Sequence, residues 1–238
     1  MNTIIKNQIC DLLFSTAYDA QAANGRITEE GLAKLIGVSR MTVRDVIQYL
    51  KRIGLVENRR KKGIYLKELS IRELADIYDV RSVFEGLAGR LAAKRIMESD
   101  LTHLTNCIKQ YNQGLEKNNF REIDQADNAF HRHILMTSGN LYLNQITDGF
   151  LLLDRAFALE RAFALKYLVR PDGPWTVLPP MPPDFTHEAI IAALATNDPE
   201  LTEKVIQGHV LTSKKRMMEA ITGLRLEEVS QKPPRVAS

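Results

Sequence analysis

From Ser70 to about residue 222 the sequence is helical by pattern in nearly every segment, and that run limits the fold more than any other feature. Candidate helices occupy 70–78, 79–97, 100–117, 119–137, 140–167, 184–196 and 199–222. Apolar residues recur along them at spacings of three and four, as one buried face of a 3.6-residue period requires. Ser70-Ile71-Arg72-Glu73 is a capping box at the start, and Ser99-Asp100, Gly139-Asn140 and Asn197-Asp198-Pro199 supply stops and caps further on. Helices joined in this way bury their faces against one another, which predicts an antiparallel all-helical bundle over residues 70–224. Residues 168–183 interrupt the pattern with six of the nine prolines and the only tryptophan, Trp175. Proline lacks the amide proton and fixes φ, so this stretch is not helix, and it is long for a bundle connection. A surface excursion is the simplest reading; a lid or an arm between subunits is the other. From Arg225 the periodicity fades and Pro233-Pro234 follows, which predicts a disordered tail over 225–238.

Residues 1–69 are different in kind. A helix over 3–20, with Ile5, Ile9, Leu12 and Leu13 on one side, is broken at Asn24-Gly25. Thr28 then caps a short helix whose apolar stripe is Leu32, Leu35 and Ile36, and Gly37 ends it as a C′ glycine. Ser39 caps the next helix, which buries Val43, Val46, Ile47 and Leu50 and leaves Arg40, Thr42 and Arg44 off that face in its first turns. After a stop at Gly54, two short strand-like stretches flank a basic turn, Arg59-Arg60-Lys61-Lys62, centred on Gly63. Three helices and a basic hairpin make a winged helix-turn-helix. In that arrangement the second helix of the pair enters the DNA major groove, and the hairpin tip lies along phosphates or probes the minor groove. An ordinary corner between two helices would show the same periodicity, so charge has to decide. Residues 1–69 carry 12 Lys and Arg against 7 Asp and Glu, while the remainder carries 20 against 22. A basic first part on a slightly acidic body gives the first part alone an electrostatic partner.

The helix over 119–137 places Ile123, Asp127, Phe130, His131 and Ile134 at spacings of three and four, so Asp127 and His131 share a face with core residues. Burying a carboxylate or an imidazole unpaired is costly, so the two either hydrogen-bond each other or serve a ligand. His187 begins a helix that continues through Ile190, Ile191 and Leu194, and His209 follows Val205 and Ile206 in the next one. The turn at Asn197-Asp198 lies roughly 16 Å from each histidine at about 1.5 Å per residue, so an antiparallel pair sets them at one height. One aspartate and three histidines suit Zn²⁺, with Ni²⁺ or Mn²⁺ also accommodated. His103 and His133 fall off this face. A helical metalloenzyme using the Asp/His site, and a bundle that holds no metal and only dimerises, are the competing readings; the first leaves the basic hairpin without a purpose.

No apolar run approaches the roughly 18 residues of a membrane helix, and the N-terminus lacks the basic and apolar regions of a secretory signal. Cys10 and Cys107 stand alone in helical, apolar contexts. Both points predict a cytoplasmic chain with reduced thiols.

With these residues in place, the chain resembles a known family. Ile36-Gly37-Val38-Ser39-Arg40-Met41-Thr42-Val43-Arg44, Gly54-Leu55-Val56 and the Lys62-Gly63 wing resemble the recognition signature of GntR-type bacterial regulators. The second part is similar to the FCD ligand-binding domain of the FadR subfamily. Tyr78-Asp79-Val80-Arg81, Glu85, Asp127-Asn128-Ala129-Phe130-His131, Ser138-Gly139-Asn140, His187 and His209 carry that likeness. Thr42 stands where most members have proline, and Ala23-Asn24-Gly25-Arg26 replaces the usual Pro-Gly turn. The resemblance implies a homodimeric transcription regulator, not an enzyme. Ser39, Arg40, Thr42, Arg44 and the wing residues Arg59, Arg60, Lys61, Lys62 and Gly63 would then meet a palindromic double-stranded operator. Asp127, His131, His187 and His209 would hold a divalent metal, and a small carboxylate effector, helped by Arg81 and Asn140, would bind there and release repression.

Overall fold

The computed structural model describes residues 5, 6, 8, 9, 12, 13, 26–52, 54, 56–59, 63–67, 70–117, 119–144, 178 and 180–231. Of the helix expected over 3–20, the six described residues are helical, and Ile9 and Leu13 enter the core of the first part.

Strand β1 (Arg26–Ile27) leads into helix α1 (Glu29–Ile36). Thr28 caps α1 by accepting from the Gly31 amide at 3.1 Å, and Gly37, at φ 76°, closes it with its own amide on the Ala33 carbonyl. Helix α2 (Arg40–Arg52) starts with the Thr42 amide donating to Ser39 Oγ at 3.1 Å. Strands β2 (Val56–Arg59) and β3 (Gly63–Leu66) pair antiparallel with Val56 opposite Leu66 and Arg59 opposite Gly63. β1 joins the far side of β3, giving the strand order β1-β3-β2. Two residues are too few to show an alternating pattern, so β1 had no legible signal in the sequence. The hairpin differs from expectation in one detail. Gly63 is the first residue of β3, at φ 109°, instead of the centre of a turn, and Arg60, Lys61 and Lys62 lie outside the described residues. Ile27, Leu32, Val43, Val46, Ile47, Leu50 and Val56 close the core of this winged helix-turn-helix.

The second part begins with helix α3 (Ile71–Ala92), set by the Ser70–Glu73 capping box. Two helices were expected here, 70–78 and 79–97. No glycine or proline separates them, and Asp79 reaches outward to Lys214 Nζ at 2.6 Å instead of capping a new start, so the helix runs through. Helix α4 (Glu98–Glu116) begins ahead of the expected residue 100, because Asp100 reaches back to the Met97 amide at 2.9 Å. Helix α5 (Phe120–Thr137) is capped by Asn119. Residues 141–144 are helical; the rest of the expected helix over 140–167 and most of the proline-rich stretch, Trp175 included, lie outside the described residues. A 3₁₀ turn (Pro183–Phe185) precedes helix α6 (His187–Ala195), capped by Thr186, and helix α7 (Pro199–Gln231) follows. α7 corrects the tail expected to be disordered from Arg225. Leu224-Arg225-Leu226-Glu227-Glu228 are strong helix formers with no breaker before Pro233, so the helix continues to Gln231. Residues 232–238 lie outside the described residues.

Helices α3 and α7 pack closely because Gly86 and Gly89 face Gln207 and Ile206, where a Cβ would collide. Ala88, Leu104, Phe130, Ile134, Ile190, Leu194 and Ile206 fill the bundle, and Leu74, Tyr78, Val210 and Met217 extend it between α3 and α7. Ile77 of α3 packs onto the winged-helix core, and Lys67 pairs with Glu73, so the first turns of α3 join the two parts. Among the described residues no helix is long and apolar enough to cross a membrane.

Candidate metal centre and DNA-reading face

Helix α2 presents its polar side as the sequence predicts. Val43, Val46, Ile47 and Leu50 are buried, while Ser39, Arg40 and Arg44 are exposed at its N-terminal end. Ser39 Oγ and Thr42 Oγ1 lie 2.8 Å apart, which fixes both hydroxyls. Arg44 is held in the free protein by Glu29 of α1, Nη2 to Oε2 at 3.1 Å. In the wing Arg59 lies over the Tyr65 ring at 4.8 Å and contacts Glu57 at 2.7 Å.

In the bundle, three helices bring four expected residues together. α5 supplies Asp127 and His131 one turn apart, α6 supplies His187 in its first turn, and α7 supplies His209. The coordinating atoms of the three histidines all lie within 4.8 Å of one another. His187 and His209 have ring centroids 4.6 Å apart, in keeping with equal distances from the Asn197-Asp198 turn. Asp127 flanks the trio, with Oδ1 3.0 Å from His187 Nε2 and 3.8 Å from His131 Nε2. Phe130 walls the cluster at 4.7 Å from the His187 ring, and Tyr111 meets the same ring edge-on at 5.3 Å.

The outward nitrogens are also held. His131 Nδ1 lies 2.7 Å from Glu85 Oε2, and Arg81 Nε donates to the other Glu85 oxygen at 2.7 Å. His209 Nδ1 lies 2.8 Å from the Phe185 carbonyl, which can only accept, so Nδ1 carries the proton and the Nε2 lone pair remains available. Metal-binding histidines are usually held in this way by a carboxylate or a backbone carbonyl. Sequence reading missed both the Phe185 carbonyl and the contact of Glu85 with His131.

Charges follow the geometry. Burial would raise the Glu85 and Asp127 carboxyls. Arg81 and His131 hold Glu85 low instead, and the imidazoles hold Asp127 low. Burial would lower His131, but Glu85 and Asp127 carry it upward. His209 falls well below its ordinary value through burial first and then the neighbouring imidazoles, which keeps it neutral and able to donate a lone pair. His187 Nε2 is buried and makes no aligned hydrogen bond among the described residues, although Asp127 Oδ1 is 3.0 Å away. Donors shared by one tetrahedral ion at about 2.1 Å lie roughly 3.4 Å apart, and the three histidines, with nitrogens within 4.8 Å of one another, could hold such an ion.

The remaining expected site residues are engaged differently. Arg81 is buried in its pair with Glu85 and stacks over Tyr78 at 5.2 Å. Asn140 Oδ1 accepts from the amides of Tyr142 and Leu143 at 3.1 and 3.0 Å, capping the helical turn that follows. His133 pairs with Asp100 at 2.9 Å beside His103, away from the cluster.

Comparison with known proteins extends this description. Residues 7–66 match the family described as bacterial regulatory proteins, gntR family, and residues 76–212 match the FCD domain. The chain is 25% identical over 211 residues to the probable D-xylose utilization operon transcriptional repressor of Paenarthrobacter nicotinovorans, covering 87% of this chain and 86% of that one. It is 26% identical over 212 residues to the Glc operon transcriptional activator of Escherichia coli K12, covering 80% and 79%. Its fold is similar to that of E. coli McbR/YncC, with TM-score 0.66 and 18% identity over 94% of this chain and 98% of that one.

Proposed function

The chain belongs to the GntR family of bacterial regulatory proteins and carries an FCD domain, and from that membership we propose a repressor released by a small carboxylate bound at the histidine cluster. It is a transcription regulator rather than an enzyme, and members of this family bind operator DNA with the first domain and effectors with the second. The observation that carries the finer reading is the convergence of His131, His187 and His209 beside Asp127 inside that effector domain.

Asp127, His131, His187 and His209 would hold the ion, Zn²⁺ first and Ni²⁺ or Mn²⁺ as alternatives; once bound, it offers coordination positions to a carboxylate. The charges favour an anion. Arg81 and Glu85 cancel, the three imidazoles are neutral when they coordinate, and Asp127 offsets only half the charge of a divalent ion. One carboxylate neutralises the remainder. Arg81 acts through Glu85, and Asn140 lies at the neighbouring cap. On the output side, a cytoplasmic homodimer sets two α2 helices in successive major grooves of a palindromic operator. Ser39, Arg40, Thr42 and Arg44 meet bases and phosphates, and Arg59 to Gly63 meet the flanking backbone. Of the two relatives compared, one is named a repressor and one an activator, so the gel-shift titration below reads the sign directly.

Protein purified without an affinity tag, then stripped and reloaded with Zn²⁺, tests the proposal. Screening small carboxylates by thermal denaturation should find a ligand that raises the melting temperature only in the loaded form and lowers operator affinity in a gel-shift titration. Absence of metal from the purified protein, together with no carboxylate response on adding Zn²⁺, Ni²⁺ or Mn²⁺, would leave the bundle as a dimerisation module.

A further inference from the structure

We infer that Gly208 and Phe185 are positioning residues for His209, so that the end of the proline-rich segment helps to build the histidine site. Pro182, at φ −56° and ψ 142°, leads into the single 3₁₀ turn, and the Phe185 amide donates back to the Pro182 carbonyl at 3.0 Å. Consecutive prolines fix φ in this approach and reduce the conformations open to it. The turn aims the Phe185 carbonyl at α7, where it receives the His209 Nδ1 proton at 2.8 Å. Nε2 is then left to face His131 and His187, whose rings lie 5.2 and 4.6 Å away.

This approach is possible because residue 208 is glycine. A Cβ there would overlap Cδ1, Cε1 and Cζ of the Phe185 ring, which sits directly on the backbone of α7. Glycine is a poor choice inside a helix, so its place next to His209 is accounted for by the close approach of the ring. Two residues after Phe185 the chain enters α6 at His187, capped by Thr186, whose Oγ1 accepts from the Ala189 amide at 3.2 Å. One short turn therefore delivers His187 and orients His209.

The consequence for metal affinity rests on the metal reading above, whereas the orientation of His209 can be measured without metal. In the full chain, Gly208→Ala should displace the ring, lower Zn²⁺ affinity by roughly 10- to 100-fold against a chromophoric chelator, and leave helix content by circular dichroism unchanged. Phe185→Ala keeps the carbonyl and should bind Zn²⁺ close to the wild type, and because it makes room for a methyl group the double variant Phe185→Ala/Gly208→Ala should bind within about twofold of Phe185→Ala alone. Nitrogen NMR of the metal-free protein should show His209 protonated at Nδ1 in the wild type and a tautomer mixture in Gly208→Ala. Gly208→Ala that keeps wild-type Zn²⁺ affinity and the pure Nδ1 tautomer would overturn the inference, as would a double variant no tighter than Gly208→Ala. A wild type that takes up no Zn²⁺ would instead overturn the metal reading, and the tautomer comparison would still decide on Gly208 and Phe185.

Discussion

Glu85 shows how a carboxylate with almost no access to water is kept ionised. It is 3% exposed, with Arg81 on one oxygen and His131 on the other. Glu85→Gln alone would leave Arg81 as a buried, uncompensated cation, a defect of about 3–5 kcal/mol that confuses folding with function. The informative variant is Arg81→Gln/Glu85→Gln, which removes both charges together. It is expected to fold, to melt close to the wild type, and to bind Zn²⁺ about 10- to 100-fold more weakly because His131 has lost its anionic partner. Unchanged affinity by competition titration would mean that the pair serves α3 alone. The same network marks the limit of what the residues could show. Asp127, His131, His187 and His209 were legible because polar side chains on apolar helix faces need a reason, and one shared turn fixed two of their heights. Spacing along α3 could link Glu85 to Arg81 but could not say which residue of α5 lies opposite. The Phe185 carbonyl belongs to the backbone, so no residue type announces it.

Among the helices, α3 has the most clearly defined beginning. Ser70 Oγ accepts from the Glu73 amide at 3.1 Å, Glu73 returns to the Ser70 amide at 2.9 Å, and Lys67 closes on the same carboxylate. The Lys67 hydrogen bond, followed by those from Ser70, lowers the Glu73 carboxyl from 4.5 to about 2. Its folded value lies below its unfolded one, so the stabilisation is complete above about pH 4.5 and is lost as the pH falls toward 2. Glu73→Gln keeps a capping side chain but not the charge. It should therefore flatten the acid limb of the stability curve in that window, with a neutral-pH cost below about 1 kcal/mol because the pair is partly exposed. Ser70→Ala should cost about 1 kcal/mol at every pH in denaturant unfolding. An unaltered acid limb for Glu73→Gln would assign the pH dependence elsewhere. Caps of this kind were readable because a side chain bonds within three residues of its own position. The winged arrangement followed from the same local rules. The ends that were misplaced, at Asp79, Ser99 and Arg225, depend on other information. Asp79 is drawn to Lys214 on a distant helix, Asp100 caps from inside α4, and α7 outlasts its apolar stripe on propensity alone.

Across the whole molecule the charges are divided, with a balance of +5 over residues 1–69 and −2 over the rest. A basic reading domain on a weakly acidic sensor concentrates DNA attraction at one end and keeps the sensor from binding the polyanion itself. The two kinds of basic residue should then separate by experiment. Arg40 and Arg44 sit on the helix proposed to enter the groove, so Arg40→Ala/Arg44→Ala should abolish the preference for operator over random DNA. Arg60, Lys61 and Lys62 belong to the proposed wing, where contact would be with phosphates and would carry little sequence information. Replacing all three with glutamine in the proposed dimer removes six cations. The slope of log affinity against log salt should become shallower by about 5, with operator preference largely kept. Fluorescence anisotropy on operator and scrambled duplexes over a salt series measures both quantities. An unchanged slope for the wing variant would place the hairpin away from DNA. Retained preference in Arg40→Ala/Arg44→Ala would remove α2 as the reader. If the wing variant alone lost specificity, the hairpin would have to read bases itself, and the reading role would pass from α2 to β2 and β3.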